Sequence, residues 1–128
     1  MDFVLGSGAK LTVSMAAWQD MQALRKATTR CFLNAGMSAS TKVDEVQTQM
    51  LLVDDDVERA VFQCAKSAIY EGAKVDAALF DDQKLKEKAV SDYFEIVAKV
   101  IKVNTDPFFR HASSASPAAN GAGERSQA

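Results

Sequence analysis

The stretch from Leu85 to Phe109 constrains the fold of this chain more than any other part of it. Read from Lys84 it runs KLKEKAVSDYFEIVAKVIKVNTDPFFRH. At the helical period, Leu85, Ala89, Tyr93, Ile96, Val100 and Val103 fall on one stripe. Val90, Phe94, Val97 and Ile101 form a second stripe beside it. About half the circumference is then apolar, wider than the roughly 100° stripe that faces a single core. Lys84, Glu87, Glu95, Lys99 and Lys102 take the remaining side. Such a helix has to be covered from two directions. The rest of the chain supplies one cover, and more of the same chain or a partner supplies the other.

The chain has 128 residues, the length of one domain, and is 48% apolar and 25% charged, the mixture of a globular protein. A net charge of −2 and a pI near 5.3 provide no basic footprint for nucleic acid. No apolar run has the length of a membrane span, and MDFVLGSGAK lacks the basic and apolar regions of a signal peptide, so neither membrane nor export is expected. A cytoplasmic location is the expectation. Cys31 and Cys64 each fall on the apolar face of an expected helix and read as reduced, buried thiols. With no CxxC pair and no Cys/His ligand set, zinc is not expected.

In chain order, Phe3-Val4-Leu5 and Leu11-Thr12-Val13 flank Gly6-Ser7-Gly8-Ala9-Lys10 and predict a β-hairpin. A lone hairpin is marginal in water, so it has to lie on the helices or pair with another chain. No P-loop Lys-Ser/Thr pair follows the glycines, which read as a turn. Ser14 is the expected cap of a first helix with Ala17, Trp18, Met21, Leu24, Thr28, Cys31 and Phe32 on its apolar face and Gly36 as its stop. Trp18 reads as a core anchor. Met37 to Thr41 is a polar connector, and Val43, Val46, Met50 and Leu51 predict a shorter second helix.

Asp54-Asp55-Asp56 could draw a divalent cation, but no EF-hand spacing follows, and Asp55 with Glu58 reads as a capping box. A third helix is expected over Val57 to Ile69, with Val57, Ala60, Val61, Cys64, Ala65 and Ala68 on its main stripe. Tyr70 to Val75 reads as a turn in which Gly72 supplies the special φ. Asp76 caps a single turn, Ala77 to Phe80, and Asp81 or Asp82 caps the long helix. Asn104-Thr105-Asp106-Pro107 is expected to end that helix, because proline disfavours helical geometry in the residue before it. Residues 1–111 form the expected folded domain. From Ala112 the sequence ASSASPAANGAGERSQA holds no large apolar residue and predicts a disordered, linker-like tail. The expected fold class is mainly α, a small helical bundle with an N-terminal β-hairpin and that tail.

Catalytic machinery is not apparent in the sequence. His111 stands at the mouth of the tail, both cysteines lack a visible activating histidine, and the carboxylates are scattered over caps and polar faces. No catalytic, metal or cofactor-binding residue is expected, and no cofactor. A binding or assembly module is.

Residues 57–109 carry a recognisable series: VERAVFQCA, then IYEGAKVDAALFDD, then SDYFEIVAKVIKVNTDPFF. Its landmarks are Ala60, Phe62 and Cys64, then Tyr70, Gly72, Lys74 and Phe80, then Asp92-Tyr93 and finally Asn104, Pro107, Phe108 and Phe109. In that order and spacing the chain resembles the tail assembly chaperones of phages with long, flexible, non-contractile tails (siphophages, lambdoid and related groups). The resemblance covers residues 57–109 well and 2–110 loosely, while the polar connector and the Asp54-Asp55-Asp56 run have no place in it.

The resemblance implies a small helical protein of the host bacterial cytoplasm that assembles with itself into rings or spirals. It implies that the protein coats the tape-measure protein, keeps it soluble while tail-tube subunits polymerise around it, and leaves before the virion is complete. It also implies a frameshifted longer form, whose added domain recruits the tube protein and whose junction suits the tail. Tyr93, Phe94, Val97, Ile101, Phe108 and Phe109 are then the interface candidates, divided between the core and a surface for another subunit or the tape measure. Two other readings compete: a permanent tail component of completion or connector type, and a small bacterial adaptor unrelated to phage.

Overall fold

Among the described residues, two short hairpins and five helices form around one apolar centre. The computed structural model describes residues 1–37 and 45–115, with the side chains of residue 45 and residues 109–115 outside that description. Most of the expected connector, Val43, and residues 116–128 of the expected tail therefore lie outside the described residues.

The hairpin pairs β1 (Asp2–Val4) with β2 (Lys10–Thr12), Phe3 opposite Leu11. Its turn closes through Leu5 N–H on the Ala9 carbonyl at 2.9 Å, and Gly8 takes the left-handed φ of 87°. The hairpin does not stand alone. β3 (Ile69–Tyr70) pairs with β2, Leu11 opposite Tyr70, and β4 (Ala73–Lys74) completes an antiparallel sheet of order β1-β2-β3-β4. The turn expected at 70–75 narrows to Glu71 and Gly72, the tip of this second hairpin, which both have positive φ, 47° and 83°, while Tyr70, Ala73 and Lys74 belong to its strands. Leu11, Val13 and Tyr70 are buried, so one side of the sheet lies on the helices.

The first helix, α1, runs Trp18–Asn34. Ser14 does not cap it: Ala17 holds the cap position without a side-chain bond, while the Ser14 carbonyl accepts from Ser67 Oγ. Its end is as expected, with Gly36 at φ 74° and the Met37 N–H reaching back to the Phe32 carbonyl at 2.8 Å. Met21, Leu24, Ala27, Thr28 and Phe32 are buried, Cys31 is half-buried, and Trp18 is 64% exposed, so the tryptophan is not a core anchor. It occupies the first helical position, where Phe108 is the aromatic ring that meets it.

In α2 (Glu45–Leu52), Leu51 and Thr48 are buried and Val46 points outward, against the expected stripe. Helix α3 (Asp55–Cys64) is shorter than predicted, continuing as a 3₁₀ turn, Ala65–Ser67, before the chain extends into β3. Its cap is Asp54, one residue before the expected Asp55, whose Oδ1 accepts the N–H groups of Asp56 and Val57 at 2.9 and 3.3 Å. Asp76 caps a 3₁₀ turn, Ala77–Asp81, accepting from Ala78 and Leu79. Asp82 accepts from Lys84 and Leu85, one turn ahead of the next helix.

The long helix departs from expectation in its first half and at its C-terminal end. It is broken in two, α4 (Lys86–Ser91) and α5 (Tyr93–Ala115), at Asp92, whose φ of −92° and ψ of 2° lie in the bridge region. It also runs through Pro107 instead of stopping there, so residues 112–115 of the expected tail continue α5. Proline removes one backbone bond and crowds the carbonyl of Val103, a loss on the order of 3 kcal/mol in a helix interior. Two side chains reinforce the preceding turn: Asn104 Nδ2 donates to the Val100 carbonyl at 2.8 Å, and Thr105 Oγ1 to that of Ile101 at 2.7 Å. Lys102 pairs with Asp106 at 3.4 Å, one turn apart on the same face. Ile96, Val97, Val100 and Ile101 of α5 enter a common core with Leu24, Phe32, Val57, Val61 and Cys64. The chain is mainly α. Among the described residues, no helix is long and apolar enough to cross a membrane.

Candidate functional site

The interface candidates of α5 separate into three groups. Val97 and Ile101 are 2% and 1% exposed and belong to the core. Tyr93 and Phe94, at the start of the helix, are half-buried and stack in a row of rings. Phe62 of α3 meets Phe80 edge to face at 6.3 Å, Phe80 meets Tyr93 at 5.2 Å, and Tyr93 meets Phe94 at 5.3 Å. Burial raises the pKa of the Tyr93 phenol, and the Glu58 carboxylate adds to the shift. Phe108 lies near the other end of the helix, roughly 21 Å from Phe94 at the helical rise per residue. The Phe109 side chain lies outside the described residues.

At the Phe108 end the sequence reading missed most of what the structure assembles. Phe108 stacks on Trp18 with ring centres 5.5 Å apart, and the Arg25 guanidinium lies 5.4 Å from the centre of the same Phe108 ring. Beside them runs a groove of about 180 Å³ lined by Met1, Val13, Ser14, Met15, Lys102, Val103, Asp106 and Pro107. Met1, Met15 and Trp18 are each more than half exposed. Unbranched methionines next to an exposed tryptophan make an adaptable apolar surface, and Trp and Arg are enriched among residues that anchor protein interfaces. Lys102 and Asp106, paired with each other, form its polar rim.

Asn104 fixes this end. Wholly buried, it accepts the Ala16 N–H on Oδ1 at 2.8 Å while donating to the Val100 carbonyl, so the segment leading into α1 is fastened to α5. Asp92 does the same at the other end. Its Oδ2, in a residue 2% exposed, accepts both the Ser7 hydroxyl at 2.6 Å and the Tyr70 hydroxyl at 2.7 Å. Glu95 adds a forked acceptor for the Gly6 N–H, at 3.3 and 3.2 Å. Both hairpins are thereby tied to the joint between α4 and α5. Burial, reinforced by the bond to Asp92 and by its charge, drives the Tyr70 phenol pKa upward and keeps it a donor.

The remaining reactive groups are quiet. Burial, with Asp20 adding, pushes the Cys64 thiol up to about 12, and burial and Asp54 raise that of Cys31. Both stay protonated at neutral pH. In the acidic run, Asp54 caps α3, while Asp56 faces Arg59 at 2.9 Å and Arg30 at 3.8 Å. Among the described residues no group of three His, Cys, Asp or Glu side chains is arranged to hold a metal ion. What the arrangement offers is contact surface at both ends of α5.

No protein-family model, no curated protein and no solved structure matches this chain.

Proposed function

We propose that this protein is a phage tail assembly chaperone of the siphophage, lambdoid type. It assembles with itself and coats the tape-measure protein in the host bacterial cytoplasm while tail-tube subunits polymerise around it. The ordered landmark series from Ala60 to Phe109 carries this reading. The exposed apolar surface at Met1, Met15 and Trp18, with the half-buried Phe108 ring against Trp18, supports it, since apolar patches of this kind mark sites of protein contact. In this reading a frameshifted longer form recruits the tube protein through a domain added at the C-terminal end.

Co-expression with the cognate tape-measure protein tests the reading, with the tag on the tape measure. A soluble complex holding several copies of this protein per tape measure is the expected outcome. Tape measure precipitating while this protein stays free, whether the short or the frameshifted form is supplied, would sink it. Finding the protein in purified virions would favour a permanent tail component instead.

A further inference from the structure

We propose that residues 76–91 form a strap that opens from the helical body as one unit, and that its opening bares the rings of Phe62 and Tyr93. The inference goes beyond the chaperone reading and does not depend on it. Within the strap only Leu79 and Ala89 are buried, Phe80 and Leu85 are half-buried, and the other residues are exposed. By contrast, Ile96, Val97, Val100, Ile101, Asn104 and Thr105 are all buried in the α5 segment that follows.

The strap's backbone bonds close on themselves. Leu79 N–H donates to Asp76, Asp82 to Leu79, Lys86 to Asp82 and Ala89 to Leu85. The carboxylates of Asp76 and Asp82 satisfy the N–H groups of Ala78, Leu79, Lys84 and Leu85, all within the same stretch. Among the described residues, the backbone bonds linking the strap to what lies outside it are at its end, where the cap N–H groups at Asp92 reach the Lys88 carbonyl, at 3.0 Å, and the Val90 carbonyl. Apart from its few inward side chains, the strap is held by the exposed pair Lys88–Glu71 at 3.1 Å. It can therefore lift without breaking a sheet ladder or another helix, the property of a separately opening unit.

Both ends of the strap are fixed to the body. Val75 is buried, with its N–H on the Ala68 carbonyl, and Asp92 is held by Ser7 and Tyr70. Those two anchors define the hinges. Between them, Phe80 is the ring that stands edge-on against both Phe62 and Tyr93, so lifting it turns two aromatic faces to water.

Hydrogen exchange of the full chain tests the proposal, in native buffer and across low denaturant concentrations. The amides of 79–89 should share one opening equilibrium and exchange at least about tenfold faster than the slowest amides of 93–105. Lys88→Ala, which removes an exposed contact, and Phe80→Ala should each raise exchange in the strap and leave 93–105 unchanged. Protection in 79–89 equal to that of 93–105 would overturn the proposal, as would a residue-by-residue spread of opening energies within the strap. So would both variants raising exchange equally in the two regions.

Discussion

At the scale of single residues, three buried polar side chains set the geometry of the site. Tyr70, Asp92 and Asn104 stand out in the sequence only as landmarks of a series, because their partners lie far along the chain. Tyr70 and Asp92 are 22 residues apart, and Asn104 reaches Ala16 across 88. Replacing Asp92 by Ala leaves the buried Tyr70 hydroxyl without its acceptor. A loss of about 3 kcal/mol in urea unfolding is expected, against about 1 kcal/mol for Ser7→Ala, whose side chain is exposed. Equal losses for the two would contradict the assigned hub. Alkaline pH provides a second check. The Tyr70 phenol and Cys64 thiol have folded-state pKa values raised above their ordinary 10.0 and 9.0, so the folded state holds these protons more tightly than the unfolded chain. Their contribution is fully present below pH 9. It falls as pH rises above 9 for Cys64 and above 10 for Tyr70, with a slope approaching about 1.4 kcal/mol per pH unit for each group. Unfolding curves from pH 8 to 11 should show that decline, with the part beginning near pH 10 reduced in Tyr70→Phe.

At the scale of elements, period and caps were legible and breaks were not. The stripes marked Ile96, Val97, Val100 and Ile101 as positions that need cover, because hydrophobic period needs only local sequence. They left Val97 and Ile101 open between core and interface, and the structure buries both. They failed at Val90, which is 54% exposed, since the break at Asp92 resets the helical phase between α4 and α5. Asp92, at that break, accepts hydroxyls from the first hairpin's turn and from β3, partners no local pattern reveals. Caps at Asp76 and near Asp54 were readable from an acidic residue ahead of an apolar run, whereas two-residue strands such as β3 and β4 have too few positions to display a period of two. Pro107 misled for a related reason. Its local bias against helix is opposed by Asn104 anchored on Ala16, by Thr105 on Ile101 and by Phe108 on Trp18. Pro107→Ala should therefore stabilise the protein, by up to about 3 kcal/mol, through the backbone bond to Val103 that proline cannot make. A fall in melting temperature would mean that the ring's packing in the groove outweighs that bond.

At the scale of the whole molecule, α5 runs from one aromatic cluster to another, with its middle in the core. This partly answers why a helix so broadly apolar occurs in a small chain. Its buried face meets α1, α2 and α3, and rings that are only half covered stand towards either end. The tryptophan read as a core anchor because sequence shows its place on a stripe but not that the stripe extends past the packed body. The proposed function rests on a surface at Met1, Met15, Trp18 and Phe108 being offered for contact rather than needed for folding. The most direct test is Trp18→Ala, measured both for melting temperature and for retention of soluble tape-measure protein on co-expression. A stability change of about 1 kcal/mol or less is expected, as for an exposed side chain beside an aromatic neighbour, together with loss of the soluble complex. A variant that keeps tape measure soluble as well as the parent would contradict the proposed function.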